Sequence, residues 1–396
     1  MEVHNHVLDV VGKNEGGLFF VYGSGGCDRP LRDLMKVVHP KRYYIPFGGI
    51  TVVFGEEFRQ ILPVIPYGDR TDIISANFTR SRLWAACKVF VLKHNIRLSK
   101  GNSDERNEVL SIFARWVLDI GEGQNYISKD EGPFCTEYEV QIPPQFCNVE
   151  QSNSVEKMMA AIYPNFLTNF KFPEYLSERA ILTPTNQTVS HLNSLIVDKL
   201  LGDTISYYSI DRAEDFGVTE TELDLAFPIE YLNSLIILGI PQHELKLKEG
   251  VVVMLIRNLN QTLGLCNVTR LIITKCLKNV VQCDVIYGSN VGTRHFIPRM
   301  ECCPSDCRLP FKLIRKQMPI QICYAMTSNK SQGQSLKTTG LYLPNFVFTH
   351  DQFYVAVSRV TSPEGLHIFV DDEAGCSTSK TDNVVYKEIF YNVPTI

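Results

Sequence analysis

The sequence predicts an α/β protein built on more than one open sheet, with a separate β-rich segment set into its second half. Three observations carry this. The chain has 396 residues, more than one typical core accommodates, so two or three domains are expected. Short β-branched or aromatic runs alternate with amphipathic stretches, the pattern of an open α/β sheet. Between about Glu249 and Pro298 that alternation stops, and strand-like runs follow one another without helical periodicity between them.

Taken in order, Gly17 to Tyr22, Thr51 to Phe54, Lys88 to Leu92, Ala180 to Leu182, Ile320 to Met326 and Leu366 to Val370 read as buried strands. After Thr183-Pro184-Thr185-Asn186, the residues Val189, Leu192, Leu195, Ile196 and Leu200 fall on one helical face, and Thr185 or Asn186 is placed to cap it. The runs VVVMLIRN, VTRLIITKCL, VVQCDVIYG and RHFIPRM, separated by Asn, Gly and Lys turns, suggest a small antiparallel barrel or sandwich inserted into the second α/β domain. Lys100 to Asn107 and Lys129 to Pro144 read as connecting loops. There is no internal repeat and no low-complexity tract.

The composition, 44% apolar and 21% charged, is that of an ordinary globular protein. A net charge of -4 argues against a surface that grips nucleic acid everywhere, yet it allows a local basic channel. The longest apolar runs, such as Val251 to Ile256, are too short to span a bilayer, so no membrane partner is expected. Met1 is followed by Glu2, His4 and His6, with neither a basic nor an apolar leader region, so no secretory signal is expected. The twelve cysteines are irregularly spaced and read as reduced thiols of cytosol or nucleus. Cys302-Cys303-Pro304-Ser305-Asp306-Cys307 could form half of a zinc site, but no second pair follows at metal-site spacing, and the plain loop is preferred.

Four stretches bear on chemistry. Leu18 to Val21 opens into Gly23-Ser24-Gly25-Gly26 as a phosphate-binding loop would, but Cys27, Asp28, Arg29 and Pro30 stand where a lysine and a hydroxyl residue should follow. Gln60 closes Gly55-Glu56-Glu57-Phe58-Arg59-Gln60 after an expected strand, where a glutamine can sense a γ-phosphate or orient water and Phe58 can stack or pack. Thr327-Ser328-Asn329-Lys330-Ser331-Gln332-Gly333-Gln334 follows an apolar run, and its hydroxyls, amide and lysine can bind phosphate oxygens or simply form a polar turn. Arg359 ends the apolar face of a helical pattern that begins near His350-Asp351 and is stopped by Pro363. It is either an arginine finger or an exposed helix arginine.

Together, GGITVVFGEEFRQILPVIP, AILTPTN, LKEGVVVMLIRNLNQTLGLCNVTRLIIT, AMTSNKSQGQSL and FYVAVSRVTSPEGLHIFV resemble the petite-integration-frequency (PIF) family of DNA helicases, in the form found in plant genomes and Helitron transposons. The resemblance runs from Gly16 to about Val370, with five motifs in family order. It implies two RecA-like (P-loop NTPase) domains, ATP and magnesium in the cleft between them, and five-prime to three-prime movement on single-stranded DNA and at duplex junctions. It also implies roles in DNA repair, recombination, telomere or Helitron maintenance, and a monomer in the nucleus. The domains would be 1–98, then 99–248 with 320–396, and an SH3-like β insert at 249–319. By motif match Gln60 would contact the γ-phosphate, Arg97 and Arg359 would be arginine fingers, and Gly23, Gly25, Gly26, Gln332 and Gly333 would line the nucleotide. Thr183, Asn186, Thr327, Lys330 and Ser331 would hold the DNA backbone.

The sequence departs from the family in the first domain. The family's GTGKT and acidic DEA motifs are absent, and Cys27 to Met35 resembles LDRSLRDIM, a segment that in the family follows the acidic motif. A contiguous internal deletion accounts for this, leaving the first domain truncated, ATP hydrolysis impaired, and Asp28 beside the glycines with a charge that opposes phosphate. Loss of a central strand would also leave that domain poorly packed, so the second is expected to be the better folded. Glu56-Glu57 stands where the family has Gly-Asp, and Val268 where it has Gly. The competing expectations are a non-enzymatic remnant that binds single-stranded DNA or a partner, and a relative of RecD-like exonuclease subunits. The long match around GLCNVTRLIIT disfavours the latter.

Overall fold

The computed structural model describes residues 28–50, 57–63, 68–87, 104–124, 137–147, 154–214, 226–288, 290–304, 309–344, 349–371 and 377–393, with 52, 55, 65, 89, 126, 127 and 347. The chain divides into two compact units, 1–103 with 385–396, and 104–384. The expected second domain ran on to 396, whereas 385–396 clusters with the first unit.

In the first unit the helix Asp28–Val38 begins at a buried aspartate. Asp28 Oδ1 accepts from the Phe47 amide at 2.6 Å and from Arg32 Nε at 2.9 Å. Burial raises the Asp28 pKa, but the Arg32 and Phe47 hydrogen bonds and the arginine charge outweigh it and hold the group below its ordinary value. The helix Arg70–Ser75 starts in a reciprocal capping box between Asp69 and Asp72. Arg70 reaches Glu388 at 2.5 Å, which ties in the 3-10 turn Lys387–Asn392. The strands expected at 17–22, 51–54 and 88–92 fall wholly or mostly outside the described residues.

The second unit is organised by a parallel sheet in the order Ala325–Thr327, Arg179–Thr183, Thr338–Leu343, Leu366–Val370. Helix Ser154–Ile162 buries Met158 and Ile162 against it. Gly340 permits that approach, since a Cβ there would stand 2.6 Å from Ile162. Helix Asn186–Lys199 is capped by Thr185, whose side chain accepts from the Thr188 amide at 3.3 Å. It buries Val189, Leu192 and Ile196 as expected, with Asn193 and Val197 beside them.

Several expectations need correction. Asp104–Gly121 is an 18-residue helix, so the polar stretch at 100–107 is partly its acidic first turn rather than a loop. Glu137–Gln141 lies within the other expected loop but pairs antiparallel with Lys380–Val384. The apolar run Ile320 to Met326 is two strands. Ile320–Ile322 pairs antiparallel with Val252–Leu255, and the chain then crosses at Cys323 and Tyr324 into the parallel sheet. Ile320 and Cys323 to Met326 are buried while Gln321 and Ile322 are half-buried, and the largely apolar run gives no mark of the crossing.

An antiparallel sheet does occupy the β-rich stretch, in the order Ile320–Ile322, Val252–Leu255, Arg270–Cys276, Val280–Val285, Arg294–Pro298. Antiparallel strands begin earlier than Glu249, however. Ile205–Tyr208 pairs with Glu244–Leu247, and Ile210–Glu214 with Lys312–Gln317. Arg315 and Asp211, both fully buried, pair at 2.6 Å, and the guanidinium also donates to the carbonyls of Leu232, Leu235 and Pro241. A buried ion pair is tolerated only with such complete hydrogen bonding. Val268 sits at φ +71°, in the left-handed region that favours glycine.

Candidate functional site

The site is built where two parallel strands end side by side. Thr183 and Thr327 are the last residues of their strands and are register partners. Ligands bind at such carboxyl edges because the loops that follow diverge there. Thr183 is fully buried, and its Oγ1 has no hydrogen-bond partner among the described residues. An orphaned buried hydroxyl costs about 1–3 kcal/mol. The Ser328 amide donates to the Thr183 carbonyl at 3.2 Å and joins the two strand ends.

After Thr327 the chain makes the 3-10 turn Asn329–Ser331. Ser331 Oγ donates to the Ser328 carbonyl at 2.6 Å, and the Gln334 amide donates to the Ser331 carbonyl at 3.0 Å. Gly333 is exposed at φ +75° with open space where a Cβ would be, so its need is conformational rather than steric. Lys330 Nζ donates to Gln321 Oε1 at 3.0 Å, and burial draws its pKa below the ordinary lysine value. Gln332 is half-buried, whereas Gln334 is buried and its Oε1 has no partner among the described residues. Gln334 was not singled out from the sequence; an amide two positions after another in a glycine turn gives no hint of which one is enclosed.

The strand crossing just before this turn is clamped by Asn193. Its side-chain amide donates to the carbonyls of Ile322 at 2.9 Å and Ala325 at 3.0 Å. Its oxygen accepts from the amides of Tyr324 at 3.0 Å and Ala325 at 2.8 Å. The sequence signal was a polar residue within an otherwise apolar helical face.

Helix Gln352–Val357 closes the site from the other side, with Gln352 Nε2 donating to the Pro184 carbonyl at 3.1 Å. Arg359, beyond its end, is 9% exposed. Its Nε donates to the Val355 carbonyl at 2.8 Å and its Nη2 to Ser358 Oγ at 2.8 Å. Its Nη1 reaches the carbonyls of Ser331 at 3.4 Å and Gln334 at 3.5 Å. The guanidinium therefore lies on the 328–334 turn.

The structure thus brings together Thr183, Thr327, Lys330, Ser331, Gln332, Gly333 and Arg359, with Asn186 exposed on the first turn of the adjacent helix. Gln60 belongs to the first unit, where its amide donates to the Glu57 carbonyl at 3.0 Å. Phe58 packs edge-on against Trp84 at 5.8 Å. Arg97, Gly23, Gly25 and Gly26 lie outside the described residues. Asp28 accepts from the Phe47 amide and from Arg32, and the glycines it was expected to stand beside lie outside the described residues.

A family model described as PIF1-like helicase matches residues 27–131, and one described as the 2B domain of DNA helicase Pif1 matches residues 230–276. ATP-dependent DNA helicase PIF1 of Xenopus laevis is 33% identical over 131 residues, which are 32% of this chain and 19% of that protein. ATP-dependent DNA helicase Pif1 of Campylobacter jejuni is 25% identical over 223 residues, covering 54% of this chain and 47% of that one. ATP-dependent DNA helicase RRM3 of Saccharomyces cerevisiae is 24% identical over 387 residues, covering 87% and 49%. The chain thus spans between a fifth and a half of the length of these relatives. Among solved structures, Pif1 helicase from Candida albicans shares the fold with a TM-score of 0.54 at 19% identity, covering 91% of this chain and 72% of that one. Bacteroides Pif1 bound to ssDNA aligns at 0.51 and 19% identity, covering 86% and 66%.

Proposed function

We propose that the chain is a PIF1-like helicase family member, which the family-model matches and the named relatives support, and that it binds single-stranded DNA through its second unit while hydrolysing ATP weakly or not at all. One observation carries the DNA half. The turn that carries the half-buried Lys330 and the buried Ser331 directly follows Thr327, whose strand end pairs with that of Thr183 at the carboxyl edge of a parallel sheet. A cation and hydroxyls in one turn suit a sugar-phosphate backbone and carry no base preference. The Bacteroides relative, solved with ssDNA, supports the same use of this fold.

The weak hydrolysis follows from the first unit. Asp28, the first acidic residue after the glycine loop, is consumed by Phe47 and Arg32, while Asp69 and Asp72 cap each other and Glu57 pairs with Arg59 at 3.0 Å. These residues do not fit a magnesium–nucleotide clamp, which needs a loop lysine, a hydroxyl and an open acidic pair. The family-model match that begins at residue 27 supports the internal deletion as the cause. In this proposal the antiparallel sheet around 252–298 serves as the accessory β domain. Five-prime to three-prime movement, action at duplex junctions, a nuclear setting, a monomeric state and roles in repair, recombination, telomere or Helitron maintenance come with the family.

The test is ATP hydrolysis stimulated by single-stranded DNA, beside salt-dependent binding of the same strand. Binding is expected without nucleotide, with turnover at least about a hundredfold below that of an intact relative. Robust turnover that Arg359→Ala abolishes would overturn the proposed impairment, and absence of binding at low salt would overturn the DNA half.

A further inference from the structure

We propose that Arg359 is a positioning residue for the DNA-binding turn: its guanidinium fastens residues 328–334 in shape and so holds Lys330 toward the DNA backbone whether or not a nucleotide is present. This rests on the DNA reading of that turn and reaches beyond the arginine-finger role. The geometry is specific. Two carbonyls that flank Gly333, those of Ser331 and Gln334, converge on one Nη1, while Nε and Nη2 are anchored to Val355 and Ser358. Gly333 contributes no side chain that could brace the turn, and its positive φ makes it the most easily deformed residue there. The Arg359 main chain adds a further tie, accepting from the Leu336 amide at 2.9 Å.

Removing the guanidinium would take the side-chain donor from the Gln334 carbonyl, leave the Ser331 carbonyl to the Gln334 amide alone, and untie the turn from the Val355–Ser358 segment. A lysine could not replace it. A single ammonium on a flexible stem cannot reach both carbonyls while staying fixed to Val355 and Ser358.

The experiment measures affinity for a labelled thymidine oligonucleotide with neither nucleotide nor magnesium present. It compares the unmodified protein with Arg359→Ala, Arg359→Lys, Lys330→Ala and the Arg359→Ala/Lys330→Ala pair. Folding of each variant is followed by cooperative unfolding. Arg359→Ala and Arg359→Lys are both expected to lose about tenfold in affinity, a single charged contact's worth. The double variant should bind little worse than Lys330→Ala, because Lys330 is already misplaced once the fastening is gone. Full affinity in Arg359→Lys would show that charge alone matters and would overturn the proposal. So would losses that multiply in the double variant, or an unchanged Arg359→Ala. The lysine variant keeps the test decisive should Arg359→Ala not fold. Failure of the unmodified protein to bind any strand would instead remove the DNA reading beneath it.

Discussion

Replacement of Asn193 by leucine tests the most connected polar side chain near the site. The two side chains are close to isosteric, so the exchange removes hydrogen bonds without opening a large cavity. Four bonds of 2.8–3.0 Å vanish together. Bonds of this kind each contribute about 0.5–1.5 kcal/mol net, and an orphaned buried partner costs about 1–3 kcal/mol. These bonds share partners and do not add simply, so the expected loss is about 3–5 kcal/mol, at the upper end for one substitution. Denaturant unfolding reads the total, and amide exchange at Tyr324 and Ala325 reads the place. Affinity for single-stranded DNA should fall as well, because the crossing delivers Thr327 and Lys330. A loss under about 1 kcal/mol with both amides still protected would refute the reasoning.

Val268→Gly is expected to stabilise the second unit. Left-handed backbone costs a non-glycine residue about 1–2 kcal/mol, and glycine gives back about 0.5–1 kcal/mol in chain entropy. A net gain of about 0.5–1 kcal/mol should therefore appear in denaturant midpoints, whereas Val268→Ala should show no gain because its Cβ remains; equal destabilisation by both would contradict this. Asp28→Asn should weaken the first unit, since the carboxylate accepts from both the Phe47 amide and Arg32. The folded-state pKa of Asp28 is depressed, so its contribution is present above the unfolded value near pH 4 and lost as pH falls through the folded one. Unfolding across pH 2–7 should show a shallower acid-side decline in the variant, and identical profiles would refute the assignment.

The helix 186–199 and the strands 179–183 and 366–370 were legible because apolar periodicity there coincides with burial on one face or in one run. Strand Thr338–Leu343 was not. Its TTGLYL pattern carries a glycine where strands usually bear bulk, and the reason lies in Ile162, 2.6 Å from where a Cβ would stand. The strand EYEVQ lies in a stretch that read as a loop, KTDNV carried no expectation, and each is explained by the other's backbone. The 327–334 turn was legible as a concentration of hydroxyls, amides and a lysine after an apolar run. Its relation to Arg359 was not, because that relation runs through main-chain carbonyls, which every residue has and no motif announces.

The antiparallel sheet is not a removable cassette, as its seams with the parallel sheet make plain. Lys248 donates to the carbonyls of Val197 at 3.0 Å and Leu200 at 2.7 Å, closing the end of the helix that carries Asn193. Arg270, fully buried within the sheet, reaches the Arg179 carbonyl at 3.1 Å, and Tyr324 stands between the Val252 amide and the Gly250 carbonyl at 3.3 Å each. Excision of 249–319 would unstitch the strand that carries Thr327 as surely as it removed the sheet. A transplanted parallel sheet keeps its Thr183–Thr327 edge only if the antiparallel sheet travels with it.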